Sequence, residues 1–192
     1  MKKMLTLVTT IVIAILIASV SFAGDVKTVN VSATIPTQNT LSVAISKVIG
    51  TTFTTASAVD FGNLVLDTTN NLFKTSDNSY YVVDVGINSN ASSWTVTHTI
   101  SAIANGAVNL NNNVNVVFTN QQNSTTGVQL AKLSYASSAG KVINKTDITT
   151  GGWLRLTYGL ATGSGDATGV VIIPATQAAG TYAGVVTLTL AP

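Results

Sequence analysis

Apolar and polar residues alternate in short runs along most of this chain. Leu41, Val43 and Ile45, for example, alternate with Ser42 and Ala44. Alternation with a period of two is typical of half-buried β-strands, and the frequent Val, Ile and Thr favour strands because their branched side chains suit a pleated sheet. The sequence therefore predicts about nine or ten strands, within Val29–Ile35, Leu41–Ile45, Val59–Leu66, Tyr81–Ile87, Trp94–Ile100, Val114–Phe118, Ala131–Tyr135, Leu154–Leu160, Val170–Ile173 and Tyr182–Leu190.

Turn-forming residues separate these runs. Asn, Asp and Gly collect at 67–71, 109–113, 120–127 and 163–166, and these residues tolerate left-handed backbone and hydrogen-bond to their own chain in turns. Short strands with regular turns predict an all-β fold, a single antiparallel immunoglobulin-like β-sandwich. An outer-membrane barrel also alternates, but aromatic residues make up only 6% of the chain, which is few for the two aromatic girdles of such a barrel.

The first 23 residues have the pattern of a secretory signal peptide. Lys2 and Lys3 precede a long apolar run that ends in Ser21-Phe22-Ala23, and a basic start, an apolar middle and small residues before the cut are the features of such a peptide. We expect cleavage after Ala23, which makes 1–23 a bacterial-type signal peptide and 24–192 one β-sandwich domain that is secreted, periplasmic or on the cell surface. A retained membrane anchor is the alternative, since about 20 apolar residues can span a bilayer.

The charge of the chain limits the kinds of partner that it can bind. Of the nine Lys and Arg residues, Lys2 and Lys3 lie in the predicted signal peptide, so seven positive charges face seven Asp in a formally neutral mature chain. Without a basic stripe to neutralise phosphates, nucleic-acid binding is not expected. Low charge leaves self-association open. The chain has no Cys, so its stability has to come from packing.

The residues for catalysis or for a metal site are scarce. His98 is the only His and there is no Glu, so a nucleophile would lack its usual base. His98 alternates in phase with Trp94 and Val96, which predicts a core or edge histidine with satisfied hydrogen bonds; a catalytic or pH-sensing role is the alternative. The seven Asp residues do not have the spacing of a calcium loop, although loop carbonyls around Asp67 or Asp77 would be acceptable ligands. We predict no catalytic, metal or cofactor site.

The first run after the signal peptide carries no charge between Thr28 and Ile35. Proteins usually protect edge strands with Lys, Pro or bulges. This run can be an ordinary first strand, or it can complete the sheet of a neighbour by β-augmentation. Its strand-donating side chains would be Val29, Val31, Ala33 and Ile35.

Both ends of the domain resemble known surface proteins. The closing run Gly180–Leu190, which begins Gly-Thr-Tyr, and the Asp60-Phe61-Gly62 motif are similar to those of fimbrial subunits, spore coat protein U-like proteins and WxL surface domains, although the disulfide cysteines of many fimbrial subunits are missing and Leu188 stands where WxL proteins carry Trp. The resemblance implies a surface-exposed, non-enzymatic role.

These observations predict a secreted structural or adhesive surface protein, a pilus-like or coat-like subunit that associates through strand edges with itself or with other surface proteins. The alternative is an extracellular carbohydrate-binding module. Trp94 and Trp153 each open a predicted strand, where an exposed ring could stack on a sugar, whereas a buried Trp would fill the core. No nucleic-acid partner and no membrane span after signal cleavage are expected.

Overall fold

The computed structural model describes residues 30–120, 127–148 and 152–192. Residues 37–192 form one compact unit, and residues 30–36 belong to a separate one. The described residues contain strands and two short 3-10 turns, Ala136–Ser138 and Lys145–Asp147. The strands are β1 (Asn39–Ile49), β2 (Thr52–Ala56), β3 (Leu64–Asp67), β4 (Leu72–Thr75), β5 (Tyr80–Ser89), β6 (Thr95–Ile100), β7 (Ala104–Asn105), β8 (Val108–Asn109), β9 (Val114–Thr119), β10 (Gln129–Ser134), β11 (Lys141–Asn144), β12 (Trp153–Leu160), β13 (Ile173–Pro174) and β14 (Val186–Ala191).

The strands form antiparallel sheets around one hydrophobic core. The largest sheet has the order β10-β9-β12-β5-β1-β2, and a three-stranded sheet with the order β11-β6-β14 faces it. A second three-stranded sheet, β13-β4-β3, and the β7-β8 hairpin complete the fold. The predicted all-β antiparallel sandwich is confirmed, while its immunoglobulin-like detail stays a prediction.

The core lies between the inward faces of the two facing sheets. In the six-stranded sheet, Val83, Val85, Leu154 and Leu156 are register neighbours on β5 and β12, and all of them are buried. Val96 of β6 and Ile143 of β11 pack against them from the opposite sheet. Fully burying such a side chain contributes about 1.5–3 kcal/mol, so the alternation of the central strands accounts for why these strands form.

Several predicted strands differ from the observed ones. Of the run predicted at Val59–Leu66, only the last three residues are strand, as the start of β3, which the turn at 68–71 joins to β4. The sequence did not predict β2, β4, β7, β8 and β11, because these strands are short and carry no clear alternation. The last predicted strand begins only at Val186, and Pro174 lies inside β13 rather than beyond a strand.

The predicted first strand is absent from the described part of its range. Residues 30–38 have neither strand nor helix, so the prediction of an ordinary first strand is wrong for Val31, Ala33 and Ile35, while Val29 lies outside the described residues. Alternation supplies one apolar face, but a strand also needs a partner for its backbone groups. The predicted cleavage site after Ala23 likewise lies outside the described residues. Within the described ranges, no helix has the length and apolar character needed to cross a bilayer.

Candidate assembly surface

The two lateral sides of the sandwich are built differently. On one side the edge strands are β10 and β11, and residues 135–140 run directly from one sheet to the other. We call this the closed side. On the other side the edge strands are β2 and β14. The Asn39–Ala44 half of β1 is also an edge there, because β2 pairs only with the Ile45–Ile49 half. We call this the open side. There β14 of the small sheet contacts β1 of the large one.

The closed side carries a charge on each edge strand. Lys132 lies in β10, and its ammonium donates to the carbonyl of Gly165. Lys141 lies in β11 as the register partner of His98, so it points inward from an edge. Charged and inward-pointing side chains at an edge oppose pairing with another chain, because the added strand would have to desolvate them. The connecting segment adds Tyr135 and Ser138, which are both buried.

The edges of the open side carry no charge. β2 reads Thr-Phe-Thr-Thr-Ala, β14 reads Val-Thr-Leu-Thr-Leu-Ala, and the free half of β1 reads Asn-Thr-Leu-Ser-Val-Ala. The nearest charge on β1 is Lys47, which lies where β2 pairs and is held by Asp77 at 2.7 Å. Unprotected edges of this kind are the ones that accept further strands.

The outward backbone groups of β14 can be assigned from its pairing. The Ser101 amide donates to the Val185 carbonyl at 2.8 Å, so Val185 directs its backbone toward β6. Antiparallel pairing alternates this direction from one residue to the next. The N–H and C=O groups of Val186, Leu188 and Leu190 therefore point to the edge of β14 that no strand among the described residues occupies.

The inward face of the large sheet is left partly uncovered on the open side. Val43 and Val85 are direct register partners on β1 and β5, and partners in adjacent strands share a face. Val85 is fully buried, but Val43 is 53% exposed. Leu41 and Ile45, on the same face of β1, are only half-buried. The inward face of β5 is thus fully covered, whereas the inward face of β1 is covered only in part.

Residues 30–36, which we call the arm, expose their apolar side chains. Val31 is 92% and Ile35 81% exposed, and Ala33 between them is exposed as well. The arm carries no charge. Residues 31–35 thus have the alternation of a strand but no regular structure.

An apolar cavity of about 880 Å³ opens elsewhere in the sandwich. Its lining includes Val114, Tyr158 and Leu160, together with residues from 59–64 and from 177–184. The Tyr135 hydroxyl in its wall donates to the Ser101 carbonyl at 3.0 Å. Most of the lining side chains are apolar, so the cavity suits the packing of an apolar group.

His98 is a core residue with both ring nitrogens in hydrogen-bonding contact. It is 1% exposed; Nδ1 lies 3.0 Å from the Ser138 carbonyl oxygen and Nε2 lies 3.0 Å from the Tyr158 hydroxyl. Because the carbonyl can only accept, Nδ1–H donates to it, and neutral Nε2 accepts from Tyr158. Burial lowers the pKa of His98 and raises the pKa of Tyr158. This agrees with the core histidine that the alternation predicts, and the ring has no route to solvent.

The two tryptophans have different environments. Trp94 is 6% exposed and belongs to the core cluster, so the proposed stacking on a ligand does not apply to it. Trp153 is half-buried on the outer face of the six-stranded sheet. Its ring lies over Gly86, where any side chain would approach Trp153 to 3.0 Å. Trp153 is therefore partly exposed, while Trp94 fills the core.

Sequence reasoning missed a buried ion pair on the outer face. Arg155, the only Arg, faces Asp84 across β12 and β5, with Nε 2.7 Å from Oδ1 and one terminal nitrogen 2.8 Å from Oδ2. The ring centroid of Phe53 lies 5.5 Å from the guanidinium carbon. Such a bidentate pair is strong and directional. The two residues are 71 positions apart, and only the strand register brings them together.

The two Asp residues considered for calcium are held by lysines. Lys74 lies 2.9 Å from Asp67 and lowers its pKa, and Lys47 lowers the pKa of Asp77 to about 2. Both carboxylates also accept backbone N–H groups of their own turns. Within the described ranges, no three acidic or His side chains come together as metal ligands.

Comparison with protein families, with curated proteins and with solved structures finds no match to this chain. The resemblance of its two ends to bacterial surface proteins therefore stays a prediction. The open and closed sides differ in whether their edge strands carry charged residues.

Proposed function

We propose that this protein is a non-enzymatic structural subunit of a secreted, surface-associated assembly, whose copies join through the open side. The observation that carries the proposal is the lack of charge on β2, β14 and the free half of β1, next to the uncovered Val43. Monomeric proteins protect such edges, as the lysines of β10 and β11 do on the closed side. An edge left unprotected on one side only suits a subunit that adds neighbours in one direction.

Three further features support this proposal. The predicted mature chain is formally neutral, so copies approach one another without net repulsion. His98 is buried away from solvent and is bonded to groups that hold it neutral. The cavity is lined mostly by apolar side chains. The chain thus offers edges and packing surfaces, and these suit assembly better than chemistry.

The test is to place a charge on the open edge. Thr187 of β14 is exposed and lies at the edge, and its register partner Thr99 is exposed on the same face of the central strand β6. We expect Thr187→Lys to weaken self-association of the purified protein at least about tenfold, since a Lys on an edge strand opposes the addition of a further strand. Thr99→Lys serves as the matched control and should leave association within about threefold.

Sedimentation measured over a range of concentrations reports the association, and thermal unfolding reports whether each variant folds. A wild-type protein that stays monomeric at high concentration, or equal weakening by both substitutions, would refute assembly through the open side.

Polysaccharide binding is the second candidate function, and the half-exposed ring of Trp153 favours it. Aromatic rings bind the apolar faces of sugars, and Phe53 is exposed on the same outer face of the sheet. We expect Trp153→Ala to abolish binding to any glycan on an array that the wild type binds. Val142→Ala, at another exposed apolar position, should leave that binding intact.

A further inference from the structure

We infer that the apolar cavity is a binding site for an uncharged, largely apolar small molecule. The cavity measures about 880 Å³, within the range of about 300–1,000 Å³ that is usual for small-molecule sites. Its described lining lies within residues 37–192 and includes neither Leu41 nor Val43. The inference therefore goes beyond the proposed function and does not depend on assembly through the open side.

The cavity forms where the two facing sheets differ in extent. On the large sheet, Leu160 of β12 and Val114 of β9 are register partners that both line the cavity. On the small sheet, Val186 lines it at the start of β14, beside Ile100 at the end of β6. Beyond that pair, residues 177–184 lie across the cavity without forming a strand. The inward face of the large sheet is thus opposed there by irregular chain.

The segment 177–184 is held in place but carries little bulk. Five of its eight residues are Ala or Gly, and all eight line the cavity. Backbone hydrogen bonds of 3.0 and 3.2 Å join Ala183 to Ala104. Gly180 has a φ of +146°, and a Cβ there would collide with the Asn105 side chain. Because the segment is fixed and its side chains are small, the cavity is preformed and is not filled from this wall.

The large side chains of the wall are apolar and remain partly exposed. Phe73 and Ile173 are register partners on β4 and β13, and both line the cavity. Six of the large apolar lining residues are only half-buried: Phe61, Leu64, Phe73, Ile103, Leu160 and Val186. Removing such surface from water is favourable. A bound molecule would therefore be stabilised mainly by apolar contact.

The polar groups of the wall indicate that the ligand is uncharged. Three tyrosine hydroxyls of the described lining donate to other groups of the protein at 2.7–3.0 Å: Tyr135 to Ser101, Tyr158 to His98 and Tyr182 to Ala178. An apolar ligand would break none of these hydrogen bonds. Asp60 is the single charged residue of the described lining. An anionic ligand would meet this carboxylate and no cation, and it would lose its hydration without compensation.

Two dyes with the same ring system test the site and its charge preference. N-phenylnaphthylamine is uncharged, and anilinonaphthalene sulfonate carries one sulfonate in addition. We expect the purified full chain to bind one molecule of the uncharged dye with a Kd of about 1–100 µM, and the sulfonate at least about tenfold more weakly. Fluorescence titration measures both. The inference is wrong if the uncharged dye does not bind, or if the sulfonate binds equally well.

Methyl NMR of the wild-type protein locates the bound dye. The uncharged dye should shift the methyl resonances of Ile103, Leu160 and Ile173, which line the cavity. Val43 and Ile49 are exposed elsewhere and should not shift. Shifts confined to Val43 and Ile49 would overturn the inference. Shifts of the cavity methyls on raising the protein concentration without dye would assign the cavity to a second copy and would overturn it too.

Neighbouring residues of β3 provide a matched pair of variants. Leu64 lines the cavity, whereas Val65 is 40% exposed and, as the next residue of the strand, faces the other way. We expect Leu64→Asp to weaken binding of the uncharged dye at least about tenfold, because the dye would have to desolvate a carboxylate. Val65→Asp should leave binding within about threefold. Thermal unfolding shows whether both variants fold, and equal effects in two folded variants would contradict a site at Leu64.

Discussion

The open and closed sides of this sandwich share one set of sheets but end them in opposite ways. On the closed side, residues 135–140 connect the sheets, and Lys132 and Lys141 protect the edges. On the open side the edges are uncharged, and Val43 is exposed beside its buried partner Val85. The same alternating pattern thus gives a covered apolar face on one side and a partly exposed apolar face on the other. The difference is whether another part of the chain packs against that face.

The largest effect on stability is expected at neither side, but at the ion pair in the middle of the six-stranded sheet. Arg155→Ala leaves the buried Asp84 carboxylate without its main cationic partner, and breaking a buried pair in this way costs about 3–5 kcal/mol. Urea unfolding of Arg155→Ala should show this loss. The double variant Asp84→Ala with Arg155→Ala should lose less than the sum of the two single variants. Additive losses would contradict a coupled pair.

A second prediction compares one residue from each environment. Val85→Ala removes buried methyl groups and should lower the free energy of unfolding by about 2 kcal/mol. Val43→Ala, the same substitution at its register partner, should cost less than about 1 kcal/mol in the monomer because its side chain already meets water. Denaturant unfolding at low protein concentration measures both. Equal losses would mean that the open side is covered in the monomer.

The Val43 variant also connects stability to assembly. At high concentration, Val43→Ala should weaken self-association, whereas Val85→Ala should not change the association of the molecules that remain folded. Sedimentation of both variants checks that the substitution with the smaller effect on stability has the larger effect on association. If Val43→Ala associates like the wild type, Val43 takes no part in the interface.

A third prediction concerns acid. Burial lowers the folded-state pKa of His98, so the unfolded chain binds a proton more readily, with an unfolded pKa of about 6.5. The stability linked to His98 is therefore complete above that pH and is lost as the pH falls from about 6.5 toward the lower folded pKa. Protonation of Nε2 would also end the hydrogen bond that Nε2 accepts from the Tyr158 hydroxyl. The register partner of His98 is Lys141, which is positively charged and would not stabilise a charged imidazole.

Unfolding measured between about pH 4.5 and 7 checks this prediction, because Asp67 and Asp77 titrate well below that range. His98→Gln is expected to be less stable at neutral pH but to lose the pH dependence. A wild-type stability that is flat over this range, or a variant with the same slope as the wild type, would show that His98 is not the titrating group.

The central strands were predictable from the sequence, and the boundary of the sheet was not. Alternation around Val83 and Leu154 identifies an inward face, since a strand buried on one face has that pattern wherever it lies. The same pattern at Leu41–Ile45 and at Val29–Ile35 says nothing about what covers that face. Val43 is therefore exposed and the arm forms no strand, although their alternation is as regular as that of β5.

In the candidate site, too, some features could be predicted from the sequence and others could not. His98 could be placed in the core because it shares a phase with Trp94 and Val96, whereas Trp94 itself was predicted as a candidate for stacking on a ligand and is buried instead. The Asp84–Arg155 pair and the open side could not be found, because they depend on which strands are neighbours. Pairing is decided by contacts between distant segments, and an uncharged run such as β14 becomes a free edge only through its position.

The smallest effect on stability, and the sharpest test of the comparison, comes from removing the protection of the closed side. Lys132 and Lys141 lie at edges, so the double variant Lys132→Thr with Lys141→Thr should change the free energy of unfolding by no more than about 0.5 kcal/mol. It should nevertheless gain a second mode of association, because β10 and β11 then resemble β14 in charge. In the presence of Thr187→Lys, which weakens association through the open side, the double variant should associate more strongly than Thr187→Lys alone. Sedimentation of the three proteins decides the matter: if the double variant with Thr187→Lys stays monomeric, the lysines do not keep the closed side free, and residues 135–140, which join its two sheets, must do so instead.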